Sequence, residues 1–171
     1  MIYYFLQCSV VKINKVFNFL FHRWNDKYMN EKLILLVEDN PDDEIFAVRA
    51  LTEAKVINKT MIVRDGQEAL DYLFYNGNFS DRPIGTPQII LLDLKLPKVD
   101  GLEVLRKIRE TESTKLIPVV ILTSSSHEKD IAASYSSGAN SYLVKPVDVV
   151  QFNLSIQHFL AYWLGLNKGL E

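Results

Sequence analysis

The sequence is poor in the residues that stabilise small secreted proteins and that hold zinc. It contains a single cysteine, Cys8, so an internal disulfide bond is impossible. Its histidines, His22, His127 and His158, are scattered, and no two of them have the spacing of metal ligands. These absences exclude a disulfide scaffold and a Cys/His metal site, and they favour a cytoplasmic protein.

The chain also lacks a large net charge and a long apolar run. The formal net charge is -2 and the isoelectric point is about 5.9, which gives no reason to expect nucleic-acid binding. No apolar run approaches the roughly 20 residues that a membrane-spanning helix needs, and no secretory signal is recognisable. What is present, 171 residues of which 48% are hydrophobic, suffices for one globular domain.

Residues 1–29 form an N-terminal extension that differs from the rest of the chain. Apolar residues recur in it at helical spacing, at Ile13, Val16, Phe17, Leu20, Phe21 and Trp24. Three interpretations stay open. The segment is upstream sequence from an over-long start, with Met29 as the true first residue, or a helix docked on the domain or on a partner, or a basic amphipathic helix. Only the last interpretation, with residues 10–24 on a membrane surface, would bring the protein to a membrane.

From residue 30 onward, short apolar runs alternate with amphipathic stretches. Continuous runs such as Leu33–Val37 are typical of parallel strands buried on both faces, and Asn40-Pro41 before acidic residues is typical of a helix start. The alternation predicts an α/β fold with a five-stranded parallel sheet and helices on both faces. The predicted strands are 33–37, 59–63, 88–92, 118–122 and 141–144, and the predicted helices are 41–52, 66–74, 101–109, 127–136 and 149–164. Residues 76–87 are predicted to form a loop.

Polar residues follow four of these strands, namely Glu38, Asp39, Asp93, Thr123 and Lys145. Because ligands of such sheets bind beyond the carboxyl ends of the strands, we expect these side chains to lie together. Three carboxylates at one point repel each other by roughly 3–4 kcal/mol per pair at an effective dielectric constant near 20, unless a cation lies among them. Such oxygen ligands suit Mg²⁺, and a carboxylate beside the metal can attack phosphorus. Asp42 and Asp43, in contrast, are interpreted as helix-start acids.

Four runs, in order, resemble the receiver domain of two-component response regulators: LILLVEDNPDD, IILLDLKLPKVDGLEVL, VVILTSS and YLVKPVD. The resemblance covers residues 30–165, leaves 166–171 as a C-terminal tail, and implies the (βα)5 flavodoxin-like receiver fold. It also implies that Asp93 is the phosphorylated residue. The implied Mg²⁺ ligands are Glu38, Asp39, Asp93 and the backbone carbonyl of Lys95.

The same resemblance implies roles for three residues in or directly after the fourth and fifth strands. Thr123 and Lys145 would act with Asp93 as the catalytic group and contact the phosphoryl group. Tyr142 would be an aromatic switch residue that responds together with Thr123. The Lys145–Pro146 bond would be cis. Lys95 departs from many receivers, which carry an apolar residue at this position, but only its carbonyl is needed for the metal.

The long stretch DYLFYNGNFSDRPIGTPQ and the ending HFLAYWLGLN resemble the small single-domain regulators that serve phytochrome-type histidine kinases. We therefore expect a phosphorelay receiver that accepts a phosphoryl group from such a kinase and signals through altered protein contacts. It would catalyse only its own phosphorylation and dephosphorylation. One expected contact is a homodimer through the fourth helix, fifth strand and fifth helix, with Phe152, Ile156 and Tyr162 as candidates.

Two other functions are compatible with an α/β sheet of this kind. An aspartate-nucleophile phosphohydrolase would carry a D-x-D-x-T pattern after the first strand. In this chain Asp93 follows the third strand instead. A flavodoxin-like flavin-binding module would need a phosphate loop rich in Ser, Thr and Gly after the first strand. The acidic residues Glu38 and Asp39 at that place would instead repel a phosphate.

Overall fold

The computed structural model describes residues 32–53, 58–146 and 148–168. Strands and helices alternate in these ranges. The strands are β1 (Lys32–Val37), β2 (Asn58–Val63), β3 (Ile89–Leu92), β4 (Val119–Thr123) and β5 (Ser141–Val144), and the helices are α1 (Pro41–Glu53), α2 (Gly66–Phe74), α3 (Gly101–Glu110), α4 (Glu128–Ser136) and α5 (Val149–Leu160). The predicted N-terminal extension of residues 1–29 lies outside the described residues, so its three interpretations stay open. The boundaries predicted at residues 30 and 165 stay predictions.

The five strands form one parallel sheet in the order β2-β1-β3-β4-β5, which confirms the predicted fold class. The chain runs from β1 outward to β2 and then returns to β3 on the other side of β1. Strand order therefore reverses between β1 and β3. In sheets of this kind the reversal opens a crevice at the carboxyl ends of the two central strands, where ligands bind.

Both faces of the sheet are buried, as the continuous apolar runs predict. In β1, Leu35 and Val37 pack on one side with α2 and α3, whereas Ile34 and Leu36 pack on the other side with α1 and α5. The central strands β3 and β4 alternate in the same way, and every residue of both is buried. Because the packing differs from one residue to the next, a slip of register by one residue would exchange the two cores.

The C-terminal helix differs from the prediction in two ways. The regular α-helix ends at Leu160 and continues as a π-helical turn over Ala161–Leu166. Phe152 and Ile156 were wrong as candidates for an exposed dimer surface, because they are 5% and 0% exposed and pack against the sheet. Tyr162 is 53% exposed. None of the helices in the described ranges is both long and apolar enough to cross a bilayer.

The Lys145–Pro146 peptide bond is trans, since the described residues contain no cis bond, and the cis prediction was wrong. The difference in free energy between the two forms is only about 0.5–1 kcal/mol for a bond before proline. The lysine reaches the other polar residues from the trans bond.

The long connection between α2 and β3 has a defined internal structure around one arginine. The guanidinium carbon of Arg82 lies 4.1 Å from the ring centroid of Tyr72 and 3.9 Å from that of Tyr75. Its Nε donates to the carbonyl of Tyr72, and the Tyr75 hydroxyl bonds to the backbone of Gly85. The predicted loop is therefore confirmed, and it contains one 3₁₀ turn at Gly77–Phe79.

Candidate functional site

Parallel pairing brings four strand ends to one edge of the sheet. β1 and β3 are paired up to their last residues, so Glu38 and Asp93, which follow them, lie side by side. β4 and β5 are paired to their ends as well, and the backbone N–H of Lys145 donates to the carbonyl of Thr123 at 2.7 Å. The predicted site residues Glu38, Asp93, Thr123 and Lys145 therefore lie along one edge of the sheet, which includes the crevice where strand order reverses.

Lys145 is the cationic centre of this group. Its ammonium Nζ lies 2.6 Å from Oε2 of Glu38, 2.8 Å from Oδ2 of Asp43 and 2.8 Å from Oδ2 of Asp93. An ammonium group has three N–H donors, so each one meets a carboxylate. The side chains of Lys145, Glu38 and Asp93 are 8%, 1% and 9% exposed. Charged hydrogen bonds shielded from water in this way are stronger than those at the surface.

Burial and ion pairing act against each other in the site. Burial raises the pKa of Glu38 to about 7, although the hydrogen bond from Lys145 lowers it in part. Burial lowers the pKa of Lys145, but the hydrogen bonds to Asp43, Asp93 and Glu38 together outweigh it, and the pKa is raised above its ordinary value. Lys145 is therefore charged at neutral pH. Its single positive charge does not balance the surrounding acidic groups, and the remaining negative potential attracts a cation.

The backbone holds Asp93 from the side opposite the lysine. Oδ1 of Asp93 accepts hydrogen bonds from the N–H groups of Leu94 at 2.5 Å and of Lys95 at 3.3 Å. Helix α3 begins directly behind this turn at Gly101, where an added Cβ would lie 2.1 Å from the Asp93 carbonyl oxygen. Likewise, a Cβ on Gly66 at the start of α2 would lie 2.0 Å from the carbonyl oxygen of Val99. Both helix starts contact the turn so closely that only glycine fits.

Glu38, Asp39 and Asp93 form a group that suits a metal ion. One oxygen from each carboxylate lies within 4.8 Å of the others. Glu38 and Asp93 are buried whereas Asp39 is exposed, so the group is open to solvent on one side. Three carboxylates with room for water are a donor set that suits Mg²⁺ or Mn²⁺. The group therefore fits the predicted cation, and Lys95, whose carbonyl is the fourth predicted ligand, lies in the turn that follows Asp93.

Thr123 and Tyr142 both contact Ser125 in the connection between β4 and α4. Thr123 is fully buried, and its hydroxyl oxygen accepts a hydrogen bond from the N–H of Ser125 at 3.4 Å. The Tyr142 hydroxyl donates to the carbonyl of Ser125 at 3.0 Å. Burial raises the pKa of Tyr142, which keeps the hydroxyl protonated. The Ser125 side chain in turn donates to Asp130 in α4. Through Ser125, the site is joined to the first turn of α4.

Sequence reasoning missed the contact of Asp43 with Lys145. Asp43 was interpreted as a helix-start acid, and it does lie in the first turn of α1. A usable signal is its spacing, because Asp43 precedes the buried residues Ala47 and Ala50 by four and seven positions. This spacing places Asp43 on the inward face of α1, whereas Asp42 is off that face and exposed.

Comparison with known proteins identifies a family model and several relatives. The model of the response regulator receiver domain matches residues 34–157. A probable methanogenesis regulatory protein of Methanothrix harundinacea, FilR2, is 40% identical over 138 residues, which are 80% of this chain and 86% of that protein. The response regulator Rcp1 of Synechocystis is 38% identical over 140 residues, 82% of this chain and 94% of that protein.

Solved structures agree with the sequence comparison. The phosphorylated cyanobacterial phytochrome response regulator RcpA superposes with a TM-score of 0.78 at 38% identity, covering 82% of this chain and 99% of that one. The Mn²⁺-bound form of Rcp1 gives a TM-score of 0.76 at 37% identity with the same coverage. Proteins of this architecture have therefore been observed in phosphorylated and metal-bound forms.

Proposed function

Because this chain belongs to the response regulator receiver domain family of two-component systems, we propose that it accepts a phosphoryl group on Asp93 from the histidine of a partner kinase. The observation that carries the proposal is the contact of Asp93 with Lys145, within a cluster of three carboxylates that suits a divalent cation. Asp93 thus contacts a fixed positive charge and belongs to a cluster that suits a divalent cation, which supports charge stabilisation during phosphoryl transfer.

The proposed reaction is a single displacement at phosphorus. A carboxylate oxygen of Asp93 forms a bond to phosphorus while the bond from phosphorus to the imidazole nitrogen of the donor breaks, and the electron pair stays on that nitrogen. Lys145 neutralises charge on the phosphoryl oxygens, and the Thr123 hydroxyl donates a hydrogen bond to one of them. Mg²⁺, held by Glu38, Asp39, Asp93 and the Lys95 carbonyl, would add further neutralisation when bound. The chain would catalyse only this reaction and the hydrolysis of its own product.

The proposed response travels through Ser125. The hydroxyl oxygen of Thr123 accepts from the Ser125 N–H in the unphosphorylated protein. A new contact of Thr123 with a phosphoryl oxygen would draw the connection between β4 and α4 inward, and the bond between Tyr142 and the Ser125 carbonyl would break. Since Phe152 and Ile156 are buried, a homodimer through α4, β5 and α5 would use exposed apolar residues instead, such as Val150, Leu154 and Tyr162.

The proposed kinase is of the phytochrome type. RcpA is described as a phytochrome response regulator, and it superposes over nearly its whole length. Its coverage also supports the action of this chain as a single-domain regulator. FilR2, at similar identity, is described as a methanogenesis regulator, so the choice of kinase needs a direct test. The predicted cytoplasmic location agrees with this partnership and stays a prediction.

Two experiments test the proposal. Incubation with acetyl phosphate and Mg²⁺ should add one phosphoryl group to the wild-type chain, measured by intact mass, and none to Asp93→Asn. Labelling of Asp93→Asn at the wild-type rate would show that another residue is modified. A phosphotransfer profile against all histidine kinases of the source organism then identifies the partner. We expect the fastest transfer from a phytochrome-type kinase, and fastest transfer from any other kinase would contradict that assignment.

A further inference from the structure

Asp43 makes a contact for which neither the sequence pattern nor the proposed reaction gives a role. Its Oδ2 lies 2.8 Å from Nζ of Lys145, and its side chain is 34% exposed. Its position is set by the helix start, because the Asn40 side chain accepts from the backbone N–H groups of Asp42 at 2.9 Å and of Asp43 at 3.2 Å. Asp43 is therefore a fixed carboxylate on the rim of the site.

The three partners of Lys145 are not equivalent. Glu38 and Asp93 belong to the cluster of three carboxylates that suits a cation, and Asp43 does not. Asp93 is also the proposed phosphoryl acceptor. A bound cation and an incoming phosphoryl group therefore compete with Lys145 for the oxygens of Glu38 and Asp93. The Asp43 carboxylate is the one partner of the three that neither of them engages.

Lys145 has space into which it could turn away from Asp93. A cavity of about 250 Å³ adjoins its side chain and is lined by Asp43, Phe46, Ser124, Lys145, Pro146, Val149 and Phe152. Most of this lining offers no acceptor for an ammonium group. Once Glu38 and Asp93 engage other groups, the contact with Asp43 is what restrains the lysine.

We propose that Asp43 is a positioning residue for Lys145, which keeps the ammonium group directed at Asp93 while a cation occupies the neighbouring carboxylates. The inference rests on the proposed phosphorylation of Asp93. Asp43 touches neither the phosphorus atom nor the cation, and it acts only through the lysine.

The sequence provides a matched control in the adjacent residue. Asp42 lies in the same first turn of α1 and is capped by the same Asn40, but it is exposed and off the inward face. Asp43→Asn and Asp42→Asn remove the same charge from the same helix end. Only the first replaces a charged acceptor of Lys145 by a neutral one, so a difference between the two variants isolates that ion pair from helix-end and long-range charge effects.

The kinetic test measures phosphorylation by acetyl phosphate at saturating Mg²⁺. We expect Asp43→Asn to lower the maximal rate constant about 10-fold, as for the loss of one charge-assisted hydrogen bond. The half-saturating concentration of acetyl phosphate should stay unchanged, and Asp42→Asn should react like the wild type. Asp43→Glu, which retains the carboxylate, should recover part of the lost rate.

A second test measures the chemical reactivity of the Lys145 amine and needs no phosphorylation. Lys145 borders the cavity, so a small amine reagent such as acetic anhydride can reach it, and peptide mass spectrometry measures the extent of its modification. In Mg²⁺, Asp43→Asn should be modified at Lys145 several times faster than either the wild type or Asp42→Asn. Equal modification of all three proteins would overturn the inference.

The outcomes separate this inference from the function on which it rests. If the wild type gains no phosphoryl group, the proposed function fails, whereas the labelling of Lys145 still tests the contact. If the wild type is phosphorylated and Asp43→Asn reacts equally fast, the positioning role is wrong and the function stands. Equal slowing by Asp42→Asn would assign the effect to the charge of the helix start and would also contradict the positioning role.

Discussion

Two partly buried cations, Lys145 and Arg109, are bound in opposite ways. Lys145 meets three carboxylates at the carboxyl end of the sheet. Arg109 in α3 donates only to neutral oxygens, which are the carbonyls of Gly138, Lys115 and Ile117 at 2.9–3.0 Å and the side-chain oxygen of Asn140 at 2.8 Å. Burial lowers the pKa of Arg109, whereas ion pairing gives Lys145 a raised pKa.

The difference shows which cation can respond to a signal. The acceptors of Arg109 are backbone carbonyls and one amide, which no cation or phosphoryl group alters, and they tie α3 to the loops before β4 and β5. Two of the three acceptors of Lys145, Glu38 and Asp93, belong to the cluster that suits a cation, and Asp93 is also the proposed phosphoryl acceptor. We therefore expect Arg109 to govern stability and Lys145 to govern chemistry.

The largest effect should come from the lysine. Lys145→Met should slow phosphorylation by acetyl phosphate by about 10²–10³-fold, as for the loss of a donor that stabilises charge in a transition state. Lys98, which is exposed and pairs with Asp65, provides the control, because Lys98→Met removes the same charge away from the site. Similar rates of phosphorylation for Lys145→Met and Lys98→Met would contradict a role of Lys145 in the chemistry.

Arg109→Ala should act on stability instead. Several carbonyls and the Asn140 side chain would lose their donor, so we expect the free energy of unfolding to fall by about 3 kcal/mol in urea titrations. The rate of phosphorylation of the folded protein should be unchanged. Arg106→Ala, an exposed residue of the same helix, should leave both quantities near the wild-type values. A clear fall in the phosphorylation rate of the folded Arg109→Ala protein would show that Arg109 takes part in the chemistry.

Mg²⁺ should stabilise the protein by binding to the cluster of Glu38, Asp39 and Asp93, and this stabilisation should not depend on Arg109. At 100 times its dissociation constant, a ligand of the native state adds about 2.7 kcal/mol to the free energy of unfolding. Thermal unfolding with Mg²⁺ and with EDTA should show this difference in the wild type and in Arg109→Ala. The difference should be much smaller in Asp39→Asn, which lacks one of the three proposed carboxylate ligands. An equal Mg²⁺ effect in Asp39→Asn would place the cation elsewhere.

The smallest effect should come from Tyr142→Phe. It removes one hydrogen bond to the Ser125 carbonyl, so we expect a loss of about 0.5–1.5 kcal/mol in the free energy of unfolding. The initial rate of phosphorylation should stay within experimental error, since the hydroxyl contacts neither Asp93 nor Lys145. Tyr135→Phe in α4, where the tyrosine is 52% exposed, is the control for loss of a hydroxyl. A strong effect of Tyr142→Phe on rate would place this tyrosine within the chemistry.

The strands and the groups at their ends were predictable because a parallel sheet imposes simple rules. Residues such as Leu33–Val37 are apolar without interruption, and parallel register brings every strand end to one edge. Glu38, Asp93 and Lys145 therefore meet as predicted. Which face of a helix packs against the site was harder to predict from the sequence. The contact of Asp43 with Lys145 was missed for this reason.

The errors at the C-terminal helix have a related cause. Phe152 and Ile156 recur at helical spacing, which shows that they share a face but not whether that face covers the sheet or a partner. Only the packing of α5 beside α1 decides the question in favour of the sheet. The bond before Pro146 was assigned from family resemblance alone, and local sequence offers little energy to decide it.

The two glycines behind Asp93 have a mechanical consequence. Gly66 and Gly101 let α2 and α3 contact the turn after β3 with no space left for a methyl group, so this turn cannot retreat when charge is added in front of it. The connection that contains Ser125 is held to the site by hydrogen bonds, which can exchange partners. The site is therefore stiff on one side and compliant on the other. For the proposed phosphorylation of Asp93, we therefore expect the structural change to occur in the connection that leads to α4 and not in the turn after β3.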